Sequence, residues 1–128
     1  WRRDVAQQTV GVVGLGRMGL GMAANLAAKG FSTLGVDPSP ERCGLAVRAG
    51  VAVVATPAEL FSACDVVIAS LPTADHVIEV VEGPGGFLEK APGGAVFVDT
   101  STSEASVSRR LAAVAADKGL GFLDAPVS

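Results

Sequence analysis

The sequence predicts an α/β fold, a doubly wound and mainly parallel sheet in the order 3-2-1-4-5-6 with helices on both faces. Three observations predict it. Strand-like and helix-like patterns alternate along the 128 residues with short connections, which is the signature of right-handed βαβ units. Segments such as Val66-Val-Ile-Ala69 and Ala95-Val-Phe-Val98 are apolar at consecutive positions, as expected of strands buried on both faces. The first strand also runs straight into Gly14-x-Gly16-x-x-Gly19 and then into a helix pattern. In such sheets the ligand crevice lies at the carboxyl ends of the strands, where the strand order reverses.

The elements follow in order. Strand 9–13 leads through the glycine turn to a helix at 17–29, closed by Lys29 and Gly30, a cation and then a glycine at the helix C-terminus. Strand 32–36 ends at Asp37, and a helix over 39–49 starts with Ser39-Pro40-Glu41. A short strand near 51–54 precedes a helix at 57–63, announced by Thr56-Pro57-x-Glu59. Both starts place a capping hydroxyl before proline, with an acid in the first turn. Strand 65–70, a helix from about 73 to 81, and a helical turn around Phe87-Leu88 come next. Glu82-Gly-Pro-Gly-Gly86 reads as a surface turn. Strand 95–99, a helix over 103–118 with Lys118-Gly119 at its end, and strand 121–125 complete the chain.

Length and composition bound the possibilities. Residues 1–128 read as one domain large enough to bury a core without staples. The net charge is −3, and basic residues are scattered apart from Trp1-Arg-Arg3 and Arg109-Arg110, so no nucleic-acid partner is expected. No apolar run approaches the roughly 20 residues of a membrane span, so no membrane partner is expected either. Cys43 and Cys64 fall in predicted helices without metal-ligand spacing; they read as reduced packing residues of a cytoplasmic protein. The start at Trp1, without a signal-peptide layout, reads as a trimmed or excerpted sequence.

The glycine turn carries the functional reading. Gly14 permits the tight turn, Gly16 leaves bare backbone for a pyrophosphate, and Gly19 lets helix and strand approach closely. Free N–H groups and the positive helix end face that anion. Asp37 lies 18 residues beyond Gly19, close to the spacing of the carboxylate that binds the adenosine ribose. Together these point to a dinucleotide of the NAD type, with NADP disfavoured by a carboxylate beside its 2′-phosphate. Arg42 complicates that preference, because one turn into the next helix it could swing toward a phosphate. The bland alternative is a turn needed only for helix packing, with Asp37 as a cap before Pro38.

The same sheet edge receives Ser70-Leu71-Pro72, Asp99-Thr-Ser-Thr102 and Asp124-Ala-Pro126. Leu71-Pro72 offers a stiff apolar wall for a ring or ribose, or simply a turn into the next helix. Thr100, Ser101 and Thr102 offer hydroxyls to a carboxylate substrate, or a cap to the helix at 103. His76, the single histidine, is a conceivable general acid or base but more commonly such a residue is a partly exposed helix side chain. Lys29, Lys90 and Lys118 are poorly placed as proton donors. Hydride transfer to or from an alcohol carbon needs a proton acceptor, and the chain offers the cofactor half of that chemistry without the proton-transfer half.

These segments resemble the β-hydroxyacid dehydrogenase family, which includes 3-hydroxyisobutyrate, L-threonate and tartronate-semialdehyde enzymes. Gly14-Leu-Gly-Arg-Met-Gly-x-x-Met22-Ala-x-Asn-Leu26 is similar to its cofactor signature, and Leu71-Pro-Thr73 to its nicotinamide-side loop. Asp99-Thr-Ser-Thr102 is similar to its Asp-x-Ser-Thr, and Asp124-Ala-Pro-Val-Ser128 to the start of its Asp-Ala-Pro-Val-Ser-Gly-Gly segment. Ala105 stands where the family has proline. The resemblance implies a Rossmann domain in which Gly14, Leu15, Gly16, Arg17, Met18, Gly19, Leu71, Pro72 and Thr102 contact NAD. It implies that Ser101 binds the carboxylate of a small hydroxy-acid substrate. It also implies that the catalytic lysine and a helical second domain lie beyond Ser128, so this chain holds no catalytic residue and no metal. The parent activity so implied is hydride transfer between NAD and a small β-hydroxy acid. An uncovered final strand with Phe122 and Leu123 suggests a homo-oligomer. Two other functions compete: a non-catalytic dinucleotide-binding or protein-interaction module, and a methyltransferase, whose nucleoside also meets a carboxylate after strand 2.

Overall fold

A computed structural model describes residues 8–101 and 104–126. The elements are β1 (Thr9–Val13), α1 (Arg17–Ala28), β2 (Ser32–Val36), α2 (Pro40–Arg48), β3 (Ala52–Val53) and α3 (Pro57–Ala63). They continue with β4 (Val66–Ala69), α4 (Ala74–Glu82), α5 (Phe87–Lys90), β5 (Val96–Asp99), α6 (Ala105–Asp117) and β6 (Gly121–Asp124). The strands form one sheet in the order β3-β2-β1-β4-β5-β6, and every neighbouring pair is parallel.

Local chemistry sets the boundaries. Ser39 and Thr56 cap α2 and α3 by accepting from the N–H groups of Arg42 and Glu59, as their sequence context predicts. Lys29 and Lys118 close α1 and α6, and the glycines that follow take positive φ, +92° at Gly30 and +73° at Gly119. Several expected elements overrun the observed ones by a residue at an end, for the helices because the caps themselves are extended or irregular rather than helical, whereas α4 runs one residue past expectation to Glu82. The larger difference is α6. Expected from 103, it starts at Ala105 with Glu104 as N-cap and no side-chain cap bond. Cys64, expected to be helical, is instead the extended C-cap of α3. The Glu82–Gly86 turn is less superficial than expected, since Gly86 is buried with space for a Cβ closed off by the carbonyls of Gly83 and Val80, each 2.7 Å away.

Two apolar clusters flank the sheet. Ala23 of α1 and Ala46 of α2 pack with Val12, Leu15 and Val51. The larger cluster joins α3, α4, α5 and α6 through Leu60, Phe61, Val77, Val81, Phe87, Leu111 and Ala115. Within it Phe61, Phe87 and Phe97 meet edge to face, and Phe97 stacks on Phe122 at 5.5 Å. These contacts lock β5 and β6 to the helix layer and hold the strand ends in register.

Candidate functional site

Parallel register delivers the strand ends to one edge: Val13 pairs with Val36 and Ala69, and Ala69 with Asp99. A cleft of about 880 Å³ opens there. Its walls are Gly14 and Gly16 of the glycine turn, Asp37 and Pro38 after β2, Leu71 and Pro72 after β4, and His76, Glu79 and Val80 of α4. Ala55 and Pro57, after β3, complete it. The last two were missed in the sequence, although the rule that strand ends share an edge applies to β3 as well.

The three glycines of the turn stand under different constraints. Gly14 has φ +92°, and a Cβ on it would run into the backbone carbonyl of Ser70. A Cβ on Gly19 would run into the carbonyl of Gly14, so the first turn of α1 rests on the loop itself. Gly16 has an ordinary φ of −65° and open space where its Cβ would stand. It caps α1 without any side-chain bond, whereas Ser39, Thr56 and Thr73 each cap their helices with a hydroxyl. The N–H groups of Gly16, Arg17 and Met18 meet no acceptor among the described residues. A bare helix end beside an open cleft is a place for an anion.

Asp37 is half-buried at the same corner. Its Oδ2 accepts from the Leu15 N–H at 2.7 Å, and its Oδ1 from the Ser39 N–H at 2.8 Å. A carboxylate has about four lone-pair directions, so two remain for hydroxyl donors. Leu15 differs from the simple expectation of a ligand contact. Its side chain is fully buried, its N–H is held by Asp37, and its carbonyl accepts from Arg42 Nε at 2.7 Å. Arg42 is therefore anchored at the loop. Arg17 and Met18 are exposed at the start of α1.

The hydroxyls after β5 turn inward. Thr100 Oγ1 donates to the Ala69 carbonyl at 2.7 Å. Ser101 is buried, and its Oγ accepts from the Leu71 N–H at 2.9 Å, tying the β4 loop to β5. Asp99, fully buried, accepts from the Ser101 N–H. Neither Thr100 nor Ser101 caps α6, and Thr102 lies outside the described residues. His76 Nδ1 sits 2.6 Å from Thr73 Oγ1, at the cap of its own helix. Cys64 is buried against Leu60 and Gly11; burial first, and the Asp65 carboxylate second, push its thiol up to about 12. No group of acidic, histidine and cysteine side chains suited to a metal ion occurs among the described residues. No helix there is long and apolar enough to cross a membrane.

Comparison with known proteins agrees with this geometry. Residues 9–128 match the family model described as the NAD binding domain of 6-phosphogluconate dehydrogenase. Human mitochondrial 3-hydroxyisobutyrate dehydrogenase is 40% identical over 98% of this chain, which spans 38% of that protein. The human cytokine-like nuclear factor N-PAC is 36% identical over 93% of this chain, which spans 22% of it. A structure of 3-hydroxyisobutyrate dehydrogenase from Mycobacterium tuberculosis with L-serine superposes with a TM-score of 0.88 and 37% identity, covering 95% of this chain and 41% of that one. The chain thus spans about two fifths of the dehydrogenases it matches. With the parallel sheet order, the glycine turn and the family model in agreement, the chain belongs to the NAD-binding domain family of the 6-phosphogluconate dehydrogenase type.

Proposed function

We propose that this chain is the cofactor-binding domain of an oxidoreductase that transfers a hydride between NAD and a small β-hydroxy acid of the 3-hydroxyisobutyrate or L-threonate type. The observation that carries the proposal is the cleft itself, where a bare helix N-terminus at Gly16 and the Asp37 carboxylate face one cavity. The residues fit the cofactor: Gly16 leaves room for a pyrophosphate, and Asp37 keeps two lone-pair directions for ribose hydroxyls.

In this reading the N–H groups of Gly16, Arg17 and Met18 receive the pyrophosphate, while Gly14 and Gly19 shape the turn that presents them and Leu15, its N–H and carbonyl held within the protein, positions the loop. Leu71 and Pro72 form the wall on the nicotinamide side, and Thr102 is carried into the cofactor set by the family resemblance alone. The bound nicotinamide supplies the hydride acceptor. Ser101 accepts from Leu71, which leaves its own hydroxyl proton for a substrate carboxylate. The resemblance implies a catalytic lysine outside this chain, and the reading expects the 128-residue chain to bind cofactor without turnover. It also carries a cytoplasmic location, on two unpaired cysteines, and self-association through β6. The mitochondrial designation belongs to the human relative.

An NAD-reduction assay over a panel of small hydroxy acids, on this chain and on the product of the gene read past codon 128, tests the proposal. Turnover by the longer product alone supports it. A longer product without a lysine in that region and without turnover favours the second reading, a non-catalytic module. The match to a nuclear factor is what keeps that reading open.

A further inference from the structure

We infer that Arg42 is a positioning residue whose guanidinium aims the Gly16 N–H into the cleft, an inference that rests on the proposed cofactor reading. Leu15 separates the first two glycines, and it is held from three sides. Its side chain is fully buried among Val12, Ala23, Ala46 and Val51. Its N–H donates to Asp37 Oδ2 at 2.7 Å, and its carbonyl accepts from Arg42 Nε at 2.7 Å.

The two arms of this clamp spring from one small structure. The Ser39 N–H donates to Asp37 Oδ1, and Ser39 Oγ in turn accepts from the backbone N–H of Arg42. The cap of α2 therefore grips both peptide groups of Leu15. The second of these is the peptide whose N–H belongs to Gly16.

In a trans peptide the carbonyl and the N–H point in opposite directions, and no described peptide is cis. Holding the Leu15 carbonyl toward α2 thus turns the Gly16 N–H away from α2. Gly16 lines the cleft, and its N–H meets no acceptor among the described residues. A cation at the carbonyl also polarises the peptide and strengthens the N–H as a donor. Arg42 accordingly acts on an anion through Gly16, without touching it.

The test uses the 128-residue chain with Arg42→Met, which keeps the stem and removes the donor, and Arg42→Lys, which keeps the charge and guards against a folding failure of the first variant. The nitrogen-15 correlated amide resonance of Gly16 is read without nucleotide, and NAD, ADP and adenosine are then titrated. The expected result is an upfield Gly16 amide proton in Arg42→Met, with partial recovery in Arg42→Lys. NAD and ADP should bind about tenfold more weakly to Arg42→Met, the scale of one hydrogen bond to a charged group, while adenosine, which has no phosphate, is unaffected. An unmoved Gly16 resonance overturns the inference, as does unchanged NAD affinity or an equal loss for adenosine. A wild-type chain that binds neither NAD nor ADP overturns the cofactor reading instead, and the Gly16 resonance measured without nucleotide still decides the clamp.

Discussion

Gly14 and Gly16 stand two residues apart and answer to different constraints. Gly14 needs its left-handed backbone and the contact with Ser70. Gly14→Ala should therefore destabilise the fold by about 2–4 kcal/mol, read as a shift of the denaturant midpoint. Gly16 has neither constraint. Gly16→Val should keep the unfolding transition close to wild type and abolish NAD binding, because its side chain fills the space proposed for the pyrophosphate. Unchanged NAD affinity in that variant would remove the turn from the site. Cys64 gives a pH-dependent counterpart. Its thiol is raised from 9.0 to about 12 in the folded chain, so between those values the folded state holds a proton that the unfolded state has lost. The associated stability is complete below about pH 9 and drains away as pH rises toward 12. Wild type should lose more of its urea midpoint than Cys64→Ala between about pH 9 and about pH 11; parallel losses would show that the thiol is not the linked group. Leu15 marks how far a motif can be read at this scale. The pattern fixes where the glycines fall, but the direction of the intervening side chain depends on packing with Ala46 and Val51, which are far along the chain.

Among the elements, the starts of α2 and α3 were the most legible, because a hydroxyl, a proline and an acid within four residues encode them locally. Ser39 and Thr56 behave as that code requires. The segment after β5 was the least legible. Its hydroxyls read as open to a ligand or a cap, yet Thr100 donates to the Ala69 carbonyl and Ser101 accepts from the Leu71 N–H across the sheet, a partnership no local pattern carries. Ser101 is thus a staple between the β4 and β5 loops whatever else it binds. Ser101→Ala should cost about 1–3 kcal/mol by stranding the Leu71 N–H, and this loss should be measurable by thermal denaturation with no substrate present. A variant as stable as wild type would mean that the staple is readily replaced. At the far edge, β6 has no strand beyond β5 to pair with among the described residues, and Leu123 is 58% exposed. Concentration-dependent sedimentation is expected for the wild-type chain, with Leu123→Lys shifting it toward monomer. A strictly monomeric wild type would contradict self-association.

For the molecule as a whole, the sheet order was legible because continuous apolar strands and short alternating connections leave few topologies open. That order in turn places the functional edge, since parallel strands deliver all their ends to one side. Side-chain directions at that edge were not legible, because each depends on a partner from another strand or helix, as Arg42 shows by turning to Leu15. The account as a whole stands on the cleft being an NAD site with Asp37 at its adenosine end. Calorimetric titration of the 128-residue chain with NAD and, separately, with NADP tests this most directly. One NAD per chain is predicted, with NADP weaker because its 2′-phosphate meets the Asp37 carboxylate. No saturable NAD binding, or NADP binding as tight as NAD, would contradict it.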